Sequence, residues 1–232
     1  MTNDRRIPLR WRRSAARVGM AVGVSVALSL APGSARADTL TEVMMNFRMG
    51  QHIDRLIFEK VVENRMAAQA GRKDAPERPA RPSLSATDFK PARKGHPTVD
   101  AMLATMKDAG RRRQLATAIA AVLRELAKER ANNVATALAA TLGQARAVVD
   151  GRMMSDEALH ALLSDVNAVL AGSPDYAKLT AEQKQMLYEY LAVNATLLAL
   201  SFQAAERDPE AKAAGTALAR RFLQRFEQAP AE

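Results

Sequence analysis

The sequence predicts an all-α protein: an Ala-rich antiparallel bundle of about six helices, preceded by a separate N-terminal amphipathic helix. Three observations predict it. Apolar residues recur at spacings of three and four along most of the chain, the period of a helix with one buried face. Ala, Leu, Glu, Gln and Arg, all good helix formers, dominate the composition. Val and Ile never alternate with polar residues over four or more positions, so no strand pattern competes.

The first element, residues 1–37, reads as a signal peptide. Arg5, Arg6, Arg10, Arg12, Arg13 and Arg17 precede an apolar run from Val18 to Ala31. Pro32, Gly33 and the cleavage pattern Ala35-Arg36-Ala37 follow. The apolar run is shorter than the ~20 residues a membrane span needs. No transmembrane span is therefore expected after cleavage, and the mature protein is expected to be periplasmic or secreted. Arg12-Arg13 resembles a twin-arginine pair, but Ala15 and Ala16 stand where that signal carries bulky apolar residues, which favours the general secretory route. The excised piece carries seven Arg and one acid, so the mature chain keeps three of the nine net positive charges. Overall basicity is then no argument for a nucleic-acid partner, and none is expected.

Residues 38–70 read as an amphipathic helix capped by Asp38 or Thr39. Leu40, Val43, Met44, Phe47, Phe58, Val61 and Val62 share one side of it, while Ile53, Leu56 and Ile57 rotate off that side beyond Gly50. Such a stripe needs a partner surface, so these residues form a candidate interaction surface. Residues 71–97, with Pro76, Pro79, Pro82, Pro91 and Pro97 among many Arg and Lys, read as a basic, extended linker.

The bundle is expected over residues 98–228. Thr98 is read as the cap of a short helix with Val99, Met102, Leu103 and Met106 inward, stopped at Gly110. Arg111 to Arg130 follows, with the stripe Leu115, Ile119, Val122 and Leu126. Asn132 or Asn133 caps the next helix, whose inward face is Val134, Leu138, Leu142, Ala145 and Val149, and Asp150-Gly151 ends it. Ser155 caps a helix with Leu159, Leu162, Leu163, Val166, Val169 and Leu170, closed by Gly172 before a Ser173-Pro174-Asp175 turn. Thr180 and Gln183 form a capping box for a long helix to about Arg207. Asp208-Pro209 opens the last helix, with Ala214, Leu218, Phe222 and Phe226 in line.

The composition excludes several function classes. With no Cys, disulfides, thiolate zinc sites, iron–sulfur clusters and Cys nucleophiles are out of reach. Only 4% of residues are aromatic, too few for base-stacking folds. Three His stand apart from one another, without His-x-x-x-His spacing, so no metal site and no cofactor is expected. Asp156, His160 and Ser164 share a helix face, but one-face spacing does not orient a nucleophile and its base, and the line reads as surface decoration. Met44, Met45, Met49, Met153 and Met154 read as flexible apolar filler.

Two constellations remain. Asn194 and Ser201 interrupt an apolar stripe flanked by Leu187, Leu191, Leu198 and Phe202. They read as a buried polar pair fixing helix register, or as the polar floor of a ligand pocket. Arg111, Arg112 and Arg113 open a helix, where the macrodipole disfavours cations. Either they contact an anion, or the helix begins earlier, near Lys107 and Asp108.

The stretch Arg130-Ala131-Asn132-Asn133-Val134-Ala135-Thr136-Ala137, together with Leu179-Thr180-Ala181-Glu182-Gln183-Lys184-Gln185, Glu206-Arg207-Asp208-Pro209 and Asp88-Phe89-Lys90-Pro91, resembles a family of exported, all-helical bacterial proteins classed only as a domain of unknown function. The resemblance spans roughly residues 88–226. It implies export and an all-α fold, and it implies no catalytic residue. From the residues themselves, the expectation is a non-enzymatic exported protein acting through contacts with an unknown protein partner or with itself. The alternative is a small-molecule or lipid-binding helical bundle, and a third class is an enzyme built on carboxylates that spacing alone does not single out.

Overall fold

The structure, a computed structural model, describes residues 82–227, and of residues 225–227 only the backbone. The signal peptide, the amphipathic helix of residues 38–70 with its stripe from Leu40 to Val62, and linker residues 71–81 lie outside the described residues.

Among the described residues the protein is all-α. A 3-10 turn, Leu84–Thr87, leads into seven helices. They are α1 (Pro97–Ala104), α2 (Ala109–Arg130), α3 (Val134–Asp150), α4 (Asp156–Gly172), α5 (Pro174–Lys178), α6 (Ala181–Ala204) and α7 (Pro209–Glu227). The additional helix is α5, where the sequence suggested a turn. Ser173 caps it by accepting from the Tyr176 N–H, and Pro174 sits in its first turn, where a missing N–H costs nothing.

The long helices start where their caps place them. The Asn133 side chain accepts from the Thr136 N–H, Ser155 from the Ala158 N–H, and Thr180 and Gln183 close a reciprocal capping box. Asp208 accepts from the Glu210 and Ala211 N–H groups at the head of α7. Two starts differ from expectation. Gly110 does not stop α1, which ends at Ala104; it lies in the first turn of α2, whose cap is Asp108. Thr98 does not cap α1 with its side chain. Its backbone N–H donates to Glu189 on α6, so the cap comes from another helix.

Helices α3 and α6 form the centre and share the most extensive contact; α7 lies across both, α4 packs on α3, and α2 and α1 flank α6. The centre is narrow because it is lined with Ala: Ala135, Ala137, Ala145, Ala147, Ala192 and Ala195 are buried almost completely. Gly143 and Gly215 extend the same logic. A Cβ on Gly143 would lie 3.1 Å from Leu159 Cδ1, and one on Gly215 would lie 2.3 Å from Ser201 Cβ. Helix α6 is buried along most of its length, which is why its sequence shows a continuous apolar run more than a single stripe.

The inward residues expected for α1 (Val99, Met102, Leu103, Met106) and α2 (Leu115, Ile119, Val122, Leu126) are all buried. Val149 departs from expectation: at 39% exposure it faces outward, while Ala147 is fully buried and Val148 packs against the core. In α7 the buried line is Ala211, Gly215, Leu218, Ala219 and Phe222. Ala214 is half-buried, and the Phe226 side chain is not described.

The largest difference concerns residues 82–96, expected to belong to an extended linker. They form a strap fastened along the bundle.

Candidate functional site

The strap lies in a groove whose polar side chains come from α3, α4, α5 and α6. Its first clasp is built around Asn133. This residue is at once the α3 cap and a donor, from Nδ2, to the Leu84 carbonyl at 2.7 Å, to Thr87 Oγ1 at 2.9 Å and to Asp88 Oδ1 at 2.8 Å. Thr87, fully buried, donates to Asn167 Oδ1 of α4 at 2.8 Å. Asn167 Nδ2 in turn donates to the Pro82 and Ser83 carbonyls at 3.0 and 3.2 Å. The Tyr176 hydroxyl of α5 donates to the Thr87 carbonyl at 3.0 Å. The Phe89 N–H donates to the Asn132 carbonyl at 2.9 Å, and Asn132 adopts a left-handed φ of 53° to present it. Arg130, at the end of α2, closes the clasp with a two-pronged ion pair to Asp88, both bonds at 2.6 Å.

The electrostatics follow from these contacts. The Arg130 guanidinium, helped by Asn133, holds the Asp88 carboxyl below the usual carboxylate range, and Asp88 raises Arg130 reciprocally. Burial, reinforced by the charge of Asp88, pushes the Tyr176 hydroxyl far above its ordinary value, so it stays a donor.

The second clasp is Gln185 and Glu189, one turn apart on α6. The Gln185 side-chain amide pairs with the strap as a peptide group would. Its Oε1 accepts from the Arg93 N–H at 3.0 Å, and its Nε2 donates to the Arg93 and Gly95 carbonyls at 3.1 and 3.2 Å. Glu189 is fully buried; its Oε2 accepts from the Thr98 N–H at 2.8 Å and from the Val99 N–H at 3.4 Å, and its Oε1 accepts from Gln185 at 2.9 Å. A carboxylate at the N-terminus of α1 is favoured by the helix dipole as well as by these bonds. His96 Nδ1 stands 3.7 Å from Glu189 Oε1, and Arg93 pairs with Glu182 at 2.7 Å on the surface. Between the clasps, the Phe89 ring tilts against Tyr188 with centroids 5.6 Å apart. Burial, with a smaller contribution from Glu189, pushes the Tyr188 hydroxyl up to about 12.

Most of these bonds engage main-chain atoms of the strap. Pro82, Ser83, Leu84, Thr87, Arg93 and Gly95 are held by their peptide groups, as are Thr98 and Val99 at the head of α1, while side-chain recognition falls on Thr87, Asp88 and Phe89, with the surface pair Arg93–Glu182 and His96 beside Glu189. The chemistry of the groove is therefore recognition of an extended peptide.

The residues singled out by sequence lie elsewhere. Asn194 and Ser201 are both buried on α6, and they do not pair with each other. Asn194 Nδ2 donates to the Tyr190 carbonyl at 2.9 Å, and Ser201 Oγ donates to the Leu197 carbonyl at 2.8 Å. Ser201 also marks the point where α7 comes closest, at Gly215. Arg111, Arg112 and Arg113 sit in the first turn of α2 behind Asp108, which accepts from the Gly110 and Arg111 N–H groups at 2.8 and 2.9 Å. These backbone bonds, chiefly that from Arg111, hold the Asp108 carboxyl below its ordinary value. The earlier helix start is thus the one realised, and Asp108 offsets the cations locally. Arg112 and Arg113 are exposed. His160 is half-buried, and burial lowers its imidazole against the opposing charge of Asp156. Met154 packs at the edge of the core beside Gly143, and Met153 is 41% exposed.

Sequence reasoning passed over Asn167, Gln185 and Glu189. A signal existed: Asn167 stands between Leu163 and Leu170 on the α4 stripe, and Gln185 and Glu189 recur four apart on an otherwise apolar helix. Among the described residues, no group of three His, Cys, Asp or Glu converges as a metal site, and no helix is long and apolar enough to cross a membrane.

Fold and groove together define an all-α bundle protein with an N-terminal strap. The chain belongs to a family of unknown function, DUF6683, which it matches over residues 22–227. The match begins well before the resemblance at Asp88, and so takes in residues 38–81 and the strap as well as the bundle. No curated protein and no solved structure matches the chain.

Proposed function

We propose that this protein is an exported, non-enzymatic helical module that acts through protein–protein contacts in the periplasm or outside the cell. The observation that carries the reading is where the buried polar side chains go. Asn133, Asn167, Gln185 and Glu189 bind the chain's own backbone, and Asn194 and Ser201 bond within their own helix. These groups serve joinery and need no ligand to be satisfied. The surface available for contact includes the outward Val149 and Met153. The stripe Leu40, Val43, Met44, Phe47, Phe58, Val61 and Val62 adds to it, since burying each such side chain is worth roughly 1.5–3 kcal/mol.

Export is tested by the N-terminus of purified protein. A start at Asp38 is expected, and with it loss of all Trp emission, because Trp11 is the single Trp. Full-length protein recovered from the membrane with Trp11 intact would defeat this part of the reading. The contact function is tested by changing Phe47 and Phe58 to Asp. The apparent mass in solution should fall, or a captured partner should be lost, while the helical circular dichroism of the bundle persists. If the two changes instead melt the whole protein and the wild type is a monomer, the segment is core and the reading fails.

A further inference from the structure

We propose that the groove between α3, α4, α5 and α6 is a peptide-binding groove that the strap of a second copy of this chain can occupy, so that two copies associate by exchanging straps. The inference rests on the protein–protein reading above and names both the partner and the surface.

Side chains of the bundle grip the strap's peptide groups at Pro82, Ser83, Leu84 and Thr87, and again at Arg93 and Gly95. The side-chain contacts, Thr87 with Asn167 and Asn133, Asp88 with Arg130 and Asn133, Phe89 with Tyr188 and Arg93 with Glu182, are made by residues that every copy carries. A second copy's strap therefore satisfies the same groove atom for atom. Exchange of an identical element costs no contact within the groove, and only the connection must rearrange.

That connection suits the task. Gly95, the last strap residue that Gln185 grips, lies in an exposed bend at φ +74° with nothing within 4 Å of where a Cβ would be. Glycine leaves that conformation for an extended one without steric cost. Glu189 meanwhile keeps hold of Thr98 and Val99, so α1 stays on its own bundle when the strap leaves. From Gly95 on one bundle to Thr98 on the other, the extended chain spans at most about 11 Å. The exchanged pair must then place the N-terminal halves of its two α6 helices side by side. The amphipathic segment upstream of the strap travels with it, which brings its apolar stripe to the second copy.

The Cys-free chain allows a direct test. Thr87 and Asn167 bond to each other and are buried at 0% and 1% exposure, so thiols at these positions meet only inside the groove. Thr87→Cys in one full-length preparation and Asn167→Cys in another are unfolded together under reducing conditions, refolded, and oxidised only once folded, beside each preparation treated alone. A disulfide-linked species at twice the chain mass on a non-reducing gel is expected in the mixture and in neither preparation alone. The double variant in a single chain must close its own intrachain bond, which proves that the two thiols reach. Should it not close, Asp88→Cys with Asn133→Cys takes its place. Closure within one chain without any linked species in the mixture overturns strap exchange. If the wild type is nevertheless larger than a monomer under the same conditions, exchange fails while the contact reading stands on another interface.

Discussion

At the scale of single residues, the polar interior is satisfied with one exception among the described residues: Glu125 Oε2, buried without a hydrogen-bond partner, while its other oxygen pairs with Lys128. A buried unsatisfied group costs roughly 1–3 kcal/mol, and an exposed ion pair returns at most about 1. Glu125→Met should therefore raise the urea midpoint, by about 1 kcal/mol in stability; an unchanged or lower midpoint would show that the carboxylate has a partner in solution. Asn133→Ala has the opposite sign. It removes the α3 cap and the donor to Leu84, Thr87 and Asp88, for an expected loss of about 2–4 kcal/mol. Stability should also bend at both ends of the pH scale. Asp88 has a folded pKa depressed below 3.8, so its contribution is complete above that value and is lost as pH falls through the folded one. Tyr176 and Tyr188 are raised above 10, so theirs is complete below 10 and is lost as pH rises through their folded values. A denaturation series at stepped pH checks this, and Asp88→Asn should flatten the acid limb alone.

At the scale of elements, the crossing of α6 and α7 is the sharpest steric demand. A methyl group on Gly215 would stand 2.3 Å from Ser201 Cβ, so the helices would have to separate. Gly215→Ala should cost about 1–3 kcal/mol by overpacking, despite the better helix propensity of Ala. Ser201→Gly removes the obstructing side chain and should restore part of the loss. Thermal melts of the two single variants and the double variant decide it, since additive losses would mean that the two sites do not meet. At the start of α2, Asp108 faces the Gly110 and Arg111 N–H groups and supplies the negative charge that the three following Arg lack.

At the scale of the whole molecule, the strap enlarges the folded unit. It joins α3, α4, α5 and α6 through contacts between residues 45 or more apart, such as Asn133 with Asp88, Thr87 with Asn167 and Tyr176 with Thr87. Limited proteolysis should leave a resistant fragment whose N-terminus lies before Pro82, identified by mass spectrometry. A fragment beginning near Pro97 would mean that the strap detaches readily in solution. Asp88→Asn and Asn167→Ala should each shift the fragment toward that shorter form by loosening the first clasp.

Helix identity and most helix boundaries were legible in the sequence by itself. Asn133, Ser155, Thr180 with Gln183, and Asp208 with Pro209 each act within three residues, so local order contains the whole interaction. The inward faces of α1 and α2 were legible for the same reason, because burial follows the helical period. Asn194 and Ser201 were correctly placed in the interior, yet their partners proved to be carbonyls one turn away. Tertiary structure alone decided the rest. Five prolines made residues 71–97 read as a free linker. Proline content excludes helix without excluding docking, and the residues that hold Pro82 to Val99 sit up to 92 positions further along the chain. Glu189 capping α1 and Gly215 meeting Ser201 are likewise products of helix packing, which brings together atoms that no local pattern relates.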